Sequence, residues 1–111
     1  TIKFGENIYV GNNVLIGPNV ILGGAGGIIL EDNVTLSANV VIETAGLSKN
    51  LKNHIHNSSK IVIGKYSWIG TGAIILAGVE IGENCIVGAG TVVTKSLNDN
   101  QIVVGASSRI L

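Results

Sequence analysis

The 111 residues suit one domain, a small one for a self-sufficient core. Seven basic residues balance seven acidic ones, so no charged footprint marks a nucleic-acid or anionic-membrane partner. With 46% hydrophobic residues against 13% charged, part of the apolar surface is expected to be buried against another subunit. No run approaches the ~18 continuous apolar residues of a membrane span, and no signal peptide stands at the start. The lone cysteine, Cys85, excludes an internal disulfide and fits a reducing, cytoplasmic compartment. The chain opens Thr-Ile-Lys without a methionine, which reads as a piece of a longer protein.

From residue 4 onward the sequence keeps a six-residue metre. Large apolar residues fall at 4, 10, 16 and 22, then at 30 and 36, then at 63, 69, 75, 81 and 87. The hexads they open include VGNNVL, IGPNVI, LEDNVT, IGTGAI, IGENCI and VGAGTV. Their fifth positions are small or β-branched: Val14, Val20, Val34, Val40, Ser67, Ala73, Val79, Cys85 and Thr91. A helix would need apolar residues at 3.6-residue spacing, and a sandwich would show longer alternating strands with hairpin turns. Neither occurs.

The fourth position carries Asn7, Asn13, Asn19, Asn33, Asn39, Gly72, Gly78, Asn84 and Gly90. Asparagine and glycine tolerate positive φ most cheaply, so each marks a corner. Three short strands and three corners close a triangular coil of about eighteen residues, and coils stack as parallel strands ~4.8 Å apart. First and fifth positions then fill the interior. Residues 1–111 are expected to form one all-β domain, a parallel β-solenoid.

Two breaks interrupt the metre. Residues 23–27 (GGAGG) accommodate a two-residue bulge at a corner, and residues 43–60 (ETAGLSKNLKNHIHNSSK) are polar and aperiodic, a projecting loop. That loop holds the only histidines, His54 and His56, which face the same way in extended backbone. An imidazole with pKa ~6.5 can take a proton from a hydroxyl near neutral pH. By spacing alone, they read equally as solvated loop residues. Cys85 occupies an inward slot and reads as core rather than as a nucleophile. With no acylatable nucleophile beside a base, direct transfer is the simplest chemistry available.

The hexads resemble the [LIV]-[GAED]-x-x-[STAV]-x signature of the hexapeptide-repeat acyltransferases, and the resemblance implies a left-handed coil. Periodicity alone does not supply that hand, since parallel crossovers are normally right-handed. Residues 60–110, with KIVIGKYSWIGTGAIILAGVEIGENCIVGAGTVVTK and then IVVGASSRI, are similar to the last coils of the galactoside, maltose and capsular-sugar O-acetyltransferases. The resemblance implies acetyl-coenzyme A as donor, a sugar hydroxyl as acceptor, no metal and a homotrimer that pairs the base of one chain with the groove of the next. It implies that Thr71 sits beside the thioester and helps stabilise the oxyanion. It gives Ala89 backbone hydrogen bonds to the pantetheine arm, Thr94 and Lys95 the nucleotide end, and Arg109 a phosphate. Trp68, in an outward position, is expected at a ligand or subunit contact.

Two departures bear on the acceptor. The galactoside pattern places its histidine in a T-x-H-P element after the preceding hexad, where this chain reads Glu43-Thr44-Ala45-Gly46-Leu47. Other members carry D-H-x-H in the loop, which Asn53-His54-Ile55-His56 resembles, so His54 is expected as the base with His56 as alternate or orienting neighbour. An acceptor-holding asparagine of the galactoside pattern is replaced at or near Gly17, which disfavours galactoside or maltose. An amino-sugar N-acetyltransferase, a trimeric zinc hydratase of the same fold and a non-catalytic scaffold are the alternatives. The hydratase reading needs three ligands per site, and the chain has two histidines.

Overall fold

Left-handed residues turn the chain at nearly every corner that the sequence marks. Asn13, Asn19, Asn33, Asn39 and Asn84, with Gly72, Gly78 and Gly90, all have φ between 55° and 80°. The computed structural model describes residues 1–47, 56–106 and 108–111. Asn7 is the exception to the expected corners. Its N–H donates to the Phe4 carbonyl and closes a 3-10 turn over Gly5–Asn7, so the left-handed residue is Phe4, at φ 56°. Tyr66, which the fourth-position rule would fill with asparagine or glycine, also turns a corner at φ 63°.

Between corners lie strands of two or three residues, and they build three parallel faces. The first face stacks Ile2–Lys3, Ile21–Gly23, Val41–Glu43, Ile74–Ile75 and Val92–Val93. The second stacks Ile8–Val10, Ile28–Leu30, Ile61–Ile63 and Glu80–Ile81. The third stacks Leu15–Ile16, Thr35–Leu36, Trp68–Ile69, Ile86–Val87 and Ile102–Val104. The result is the parallel β-helix that the hexads imply, left-handed as the family resemblance implies. Strand Arg109–Ile110 ends the pattern by turning back antiparallel onto Ile102–Val104.

First-position side chains meet inside the prism. Leu22, Ile42 and Ile75 from the first face, Leu30, Ile63 and Ile81 from the second, and Leu36, Ile69 and Val87 from the third are at most 2% exposed. Burying each such side chain contributes roughly 1.5–3 kcal/mol. Fifth-position Val34, Val40, Ala73, Cys85 and Thr91 fill the spaces at the corners with no exposure. Ile2, which stacks in register on Leu22, and Val10 and Ile16 hold the inward positions in the first coil yet are 62%, 44% and 44% exposed, because that coil has a neighbour on one side only. Phe4, which the metre places inward, lies past the strand at the corner instead.

Coils approach closely where a hexad's second residue is glycine. A Cβ on Gly64 would fall 2.5 Å from the Gly82 carbonyl carbon, and one on Gly82 would fall 2.7 Å from the Asp99 nitrogen. Neither glycine has positive φ, so close packing and not backbone freedom requires it.

The excursion differs from its expectation as a plain loop. Glu43 completes a first-face strand, and Ala45–Leu47 pairs antiparallel with His56–Ser58. The aperiodic polar sequence hid this hairpin, because a two-stranded ribbon off the prism needs no buried face.

Candidate functional site

The predicted residues fall at two corners that border the first face. The corner leading into that face contains Ser37, Gly70, Gly88 and Val104 in successive coils. The Gly70 N–H donates to the Val87 carbonyl at 2.8 Å, and the Gly88 N–H to the Val103 carbonyl at 2.8 Å. A cavity of about 250 Å³ opens along this column, lined by Ser37, Trp68, Gly70, Thr71, Ile86, Val87, Gly88 and Ala89. Three expected cofactor residues, Trp68, Thr71 and Ala89, therefore come together.

The indole of Trp68 is 54% exposed, yet its Nε1–H donates to the Ser37 hydroxyl at 2.9 Å, which ties the ring to the coil before it. Gly70 brings the Ala89 backbone near, since a Cβ there would stand 2.7 Å from the Ala89 nitrogen and 2.7 Å from the Val87 carbonyl oxygen. Ala89 itself is exposed. Its N–H and carbonyl make no backbone hydrogen bond among the described residues, whereas the Thr71 carbonyl accepts from the Gly90 N–H at 2.8 Å. An exposed peptide at the lip of an apolar cavity can pair with an extended chain that carries amides.

A second cavity, of about 370 Å³, continues the column past Val104, Gly105 and Ala106 to Arg109, whose exposed guanidinium is a suitable anion partner. Thr94 and Lys95 do not join it. They lie past the far edge of the first face, at the corner that follows Val92–Val93, exposed beside a small cavity of about 100 Å³.

That second corner also carries the excursion, which leaves the prism after Val41–Glu43 and rejoins it through Ser59, whose carbonyl accepts the Gly78 N–H at 3.2 Å. His56 enters the hairpin with its Cα opposite Leu47. His54 lies outside the described residues.

Ser37, Gly70 and Thr44 were not singled out from the sequence. The recurring second-position glycines were a usable signal for Gly70. Ser37 and Thr44 look like ordinary polar repeat residues, and only their partners in neighbouring coils distinguish them.

Residues 60–95 match the family described as bacterial transferase hexapeptide (six repeats), and residues 7–44 match the hexapeptide repeat of succinyl-transferase. The chain is 34% identical over 87 residues to galactoside O-acetyltransferase of Escherichia coli (strain K12), covering 76% of this chain and 43% of that one. A crystal structure of a maltose O-acetyltransferase from Clostridium difficile 630 superposes with TM-score 0.93 at 38% identity, covering 99% of this chain and 60% of that one. A hexapeptide-repeat acetyltransferase from Vibrio cholerae, in complex with acetyl coenzyme A, superposes with TM-score 0.93 at 29% identity, over 99% of this chain and 62% of its own. The chain thus spans about half the length of the curated relatives that it matches.

Proposed function

We propose that this chain, which belongs to the hexapeptide-repeat transferases, is the β-helix of an acetyl-coenzyme A-dependent O-acetyltransferase acting on a sugar hydroxyl. The observation that carries this reading is the exposed Ala89 peptide, whose N–H and carbonyl have no backbone partner among the described residues, beside the cavity floored by Gly70 and walled by Trp68. An extended pantetheine arm bears amides that such a peptide can hold, and Arg109 farther along the column suits a phosphate. Lys95 and Thr94 would meet the nucleotide end of a donor held by a neighbouring subunit.

In the proposed reaction an imidazole accepts the acceptor's hydroxyl proton as that oxygen attacks the thioester carbonyl. The Thr71 hydroxyl supports the charge that develops on the carbonyl oxygen, and collapse expels the coenzyme A thiolate, which takes the proton. No covalent enzyme intermediate forms. A base must be held within hydrogen-bond reach of its proton. The pairing of His56 opposite Leu47 supports His56 in this role, because it fixes that residue's backbone beside the segment where the galactoside pattern carries its histidine. His54 becomes the orienting neighbour.

The donor column and the roots of the hairpin stand on opposite edges of the first face, so among the described residues one chain does not close the site around a thioester. A homotrimer, with the hairpin of one subunit meeting the column of the next, is the assembly that this reading requires. Calorimetric titration with coenzyme A, followed by acetyl transfer to a panel of sugars, tests the function. Binding with transfer to at least one hydroxyl supports it, and no binding at millimolar coenzyme A sinks it. Sedimentation equilibrium near 11.4 kDa would overturn the trimer, whereas roughly three times that mass supports it.

A further inference from the structure

The two breaks in the metre touch each other. Thr44, the first residue past Val41–Glu43, is fully buried, although the corresponding third residues of other hexads, such as Lys65, Thr71, Glu83 and Ala89, are exposed. Its hydroxyl donates to the Gly23 carbonyl at 2.6 Å and accepts from the Gly26 N–H at 2.9 Å. Its own N–H also donates to the Gly23 carbonyl at 3.0 Å, and its carbonyl accepts the Ser59 N–H at 2.9 Å. Thr44 and Ser59 are the two roots of the excursion. They are joined to each other, to the glycine bulge of the coil before and, through the Gly78 N–H to Ser59 carbonyl bond, to the coil after.

The chemistry of this joint is specific. The bulge of two extra residues leaves the Gly26 N–H with no backbone acceptor among the described residues, and burying an unpaired amide is costly. A hydroxyl donates and accepts at once, so one threonine satisfies the Gly26 N–H while adding a second donor to the Gly23 carbonyl that its own N–H already reaches, whereas valine has the same shape and can do neither. Gly26 completes the fit, since a Cβ there would stand 2.8 Å from the Ser59 nitrogen and 2.9 Å from the Ser58 Cβ. Ser58 pairs with Ala45, and two residues back in that strand is His56.

We propose that Thr44 is a positioning residue for the base: its hydroxyl seats the root of the hairpin on the 23–27 bulge and so fixes where His56 stands relative to the second corner. This inference rests on the reading of the excursion's histidines as the acid–base group. The bulge and the excursion are then two parts of one device.

The test uses the whole chain with Thr44→Val, Thr44→Ser and Gly26→Ala, and with His54→Ala and His56→Ala as references. Amide hydrogen exchange needs no acceptor; turnover is read with acetyl-coenzyme A and the panel sugar that gives the highest wild-type rate. Thr44→Val is expected to speed exchange of the amides at 45–47 and 56–59 by about tenfold or more while Val62 and Ile75 keep their protection. Turnover should fall by roughly 10- to 100-fold with the donor KM within about twofold, and Thr44→Ser should restore both. Gly26→Ala, which keeps the hydroxyl but displaces Ser58 and Ser59, should lower turnover in the same way and serves where Thr44→Val does not fold. Wild-type turnover in Thr44→Val or Gly26→Ala, with or without faster exchange, overturns the inference. Loss of activity in His56→Ala beside intact Thr44→Val would sink the inference alone; full activity in both histidine variants would sink the base reading itself.

Discussion

The two corners that border the first face are built to opposite rules. At the corner into that face, Ser37, Gly70 and Gly88 repeat in register, coil on coil, and the candidate site is made of backbone: the exposed Ala89 peptide held close by a glycine. At the corner out of it, successive coils carry a glycine bulge, a hairpin, a regular turn through Gly78, and the exposed Thr94 and Lys95. Regularity suits a ligand that is long and repetitive itself, since a straight column of coils offers the same face at every level. Irregularity suits chemistry at one point, because only a departure from the repeat can raise a side chain above a flat wall. On the proposed reading, the repeat of this solenoid holds the donor and its break acts.

The largest expected effect falls on the irregular corner. His56→Ala should cut turnover by ~10²–10⁴ with coenzyme A affinity unchanged, since a base acts in the transition state and not on the donor. Steady-state kinetics beside a coenzyme A titration check this; an active His56→Ala with an inactive His54→Ala would exchange their roles.

On the regular corner the sharpest break is Gly70→Ala. Its Cβ would meet backbone atoms at 2.7 Å that no rotamer change can move, so a loss of about 2–4 kcal/mol is expected. Gly72→Ala, at φ 71° with nothing within 4 Å of the new atom, should cost only about 1 kcal/mol. Equal thermal shifts for the pair would show that coil spacing does not govern this column.

Smaller changes separate the two proposed donor anchors. Lys95→Ala and Arg109→Ala should each weaken coenzyme A by ~1–3 kcal/mol while turnover at saturating donor stays near wild type. Mixing the two single variants offers a finer probe. If the residues meet donors held by different subunits, mixed trimers should recover a fraction of intact sites, and no recovery would place both on one donor.

The smallest expected contrast lies at the third corner. Asn84→Val forces a β-branched residue to φ near 55° and removes the 2.9 Å bond from Asn84 Nδ2–H to Asn100 Oδ1, which should cost on the order of 1–3 kcal/mol. Glu83→Ala, with its side chain exposed, should stay within about 0.5 kcal/mol. Chemical denaturation distinguishes them.

Most of the fold was legible because each hexad states its own geometry. An apolar first residue must be buried and an asparagine or glycine fourth residue accepts positive φ, so Leu36, Ile69 and Val87 declared the core while Asn33, Asn84 and Gly90 declared the corners. Trp68, Thr71 and Ala89 could be named from their motif, and they share one cavity. Three things were not legible. Tyr66 turns a corner that its residue type disfavours, because the coils on either side hold its backbone there. Ala45–Leu47 and His56–Ser58 pair without any alternating pattern, because a ribbon held by backbone hydrogen bonds leaves no hydrophobic trace.

Thr44 is the clearest of these cases. Nothing in Glu43-Thr44-Ala45 distinguishes it, since its partners, Gly23 and Gly26, belong to another coil and become neighbours only when twenty or so residues close one turn. Local sequence determined the period, the corners and the inward side chains, because those depend on each residue's own φ preference and hydrophobicity. Only the stacking of coils decided which breaks in the period meet, because contact between successive turns is set by how many residues each turn consumes.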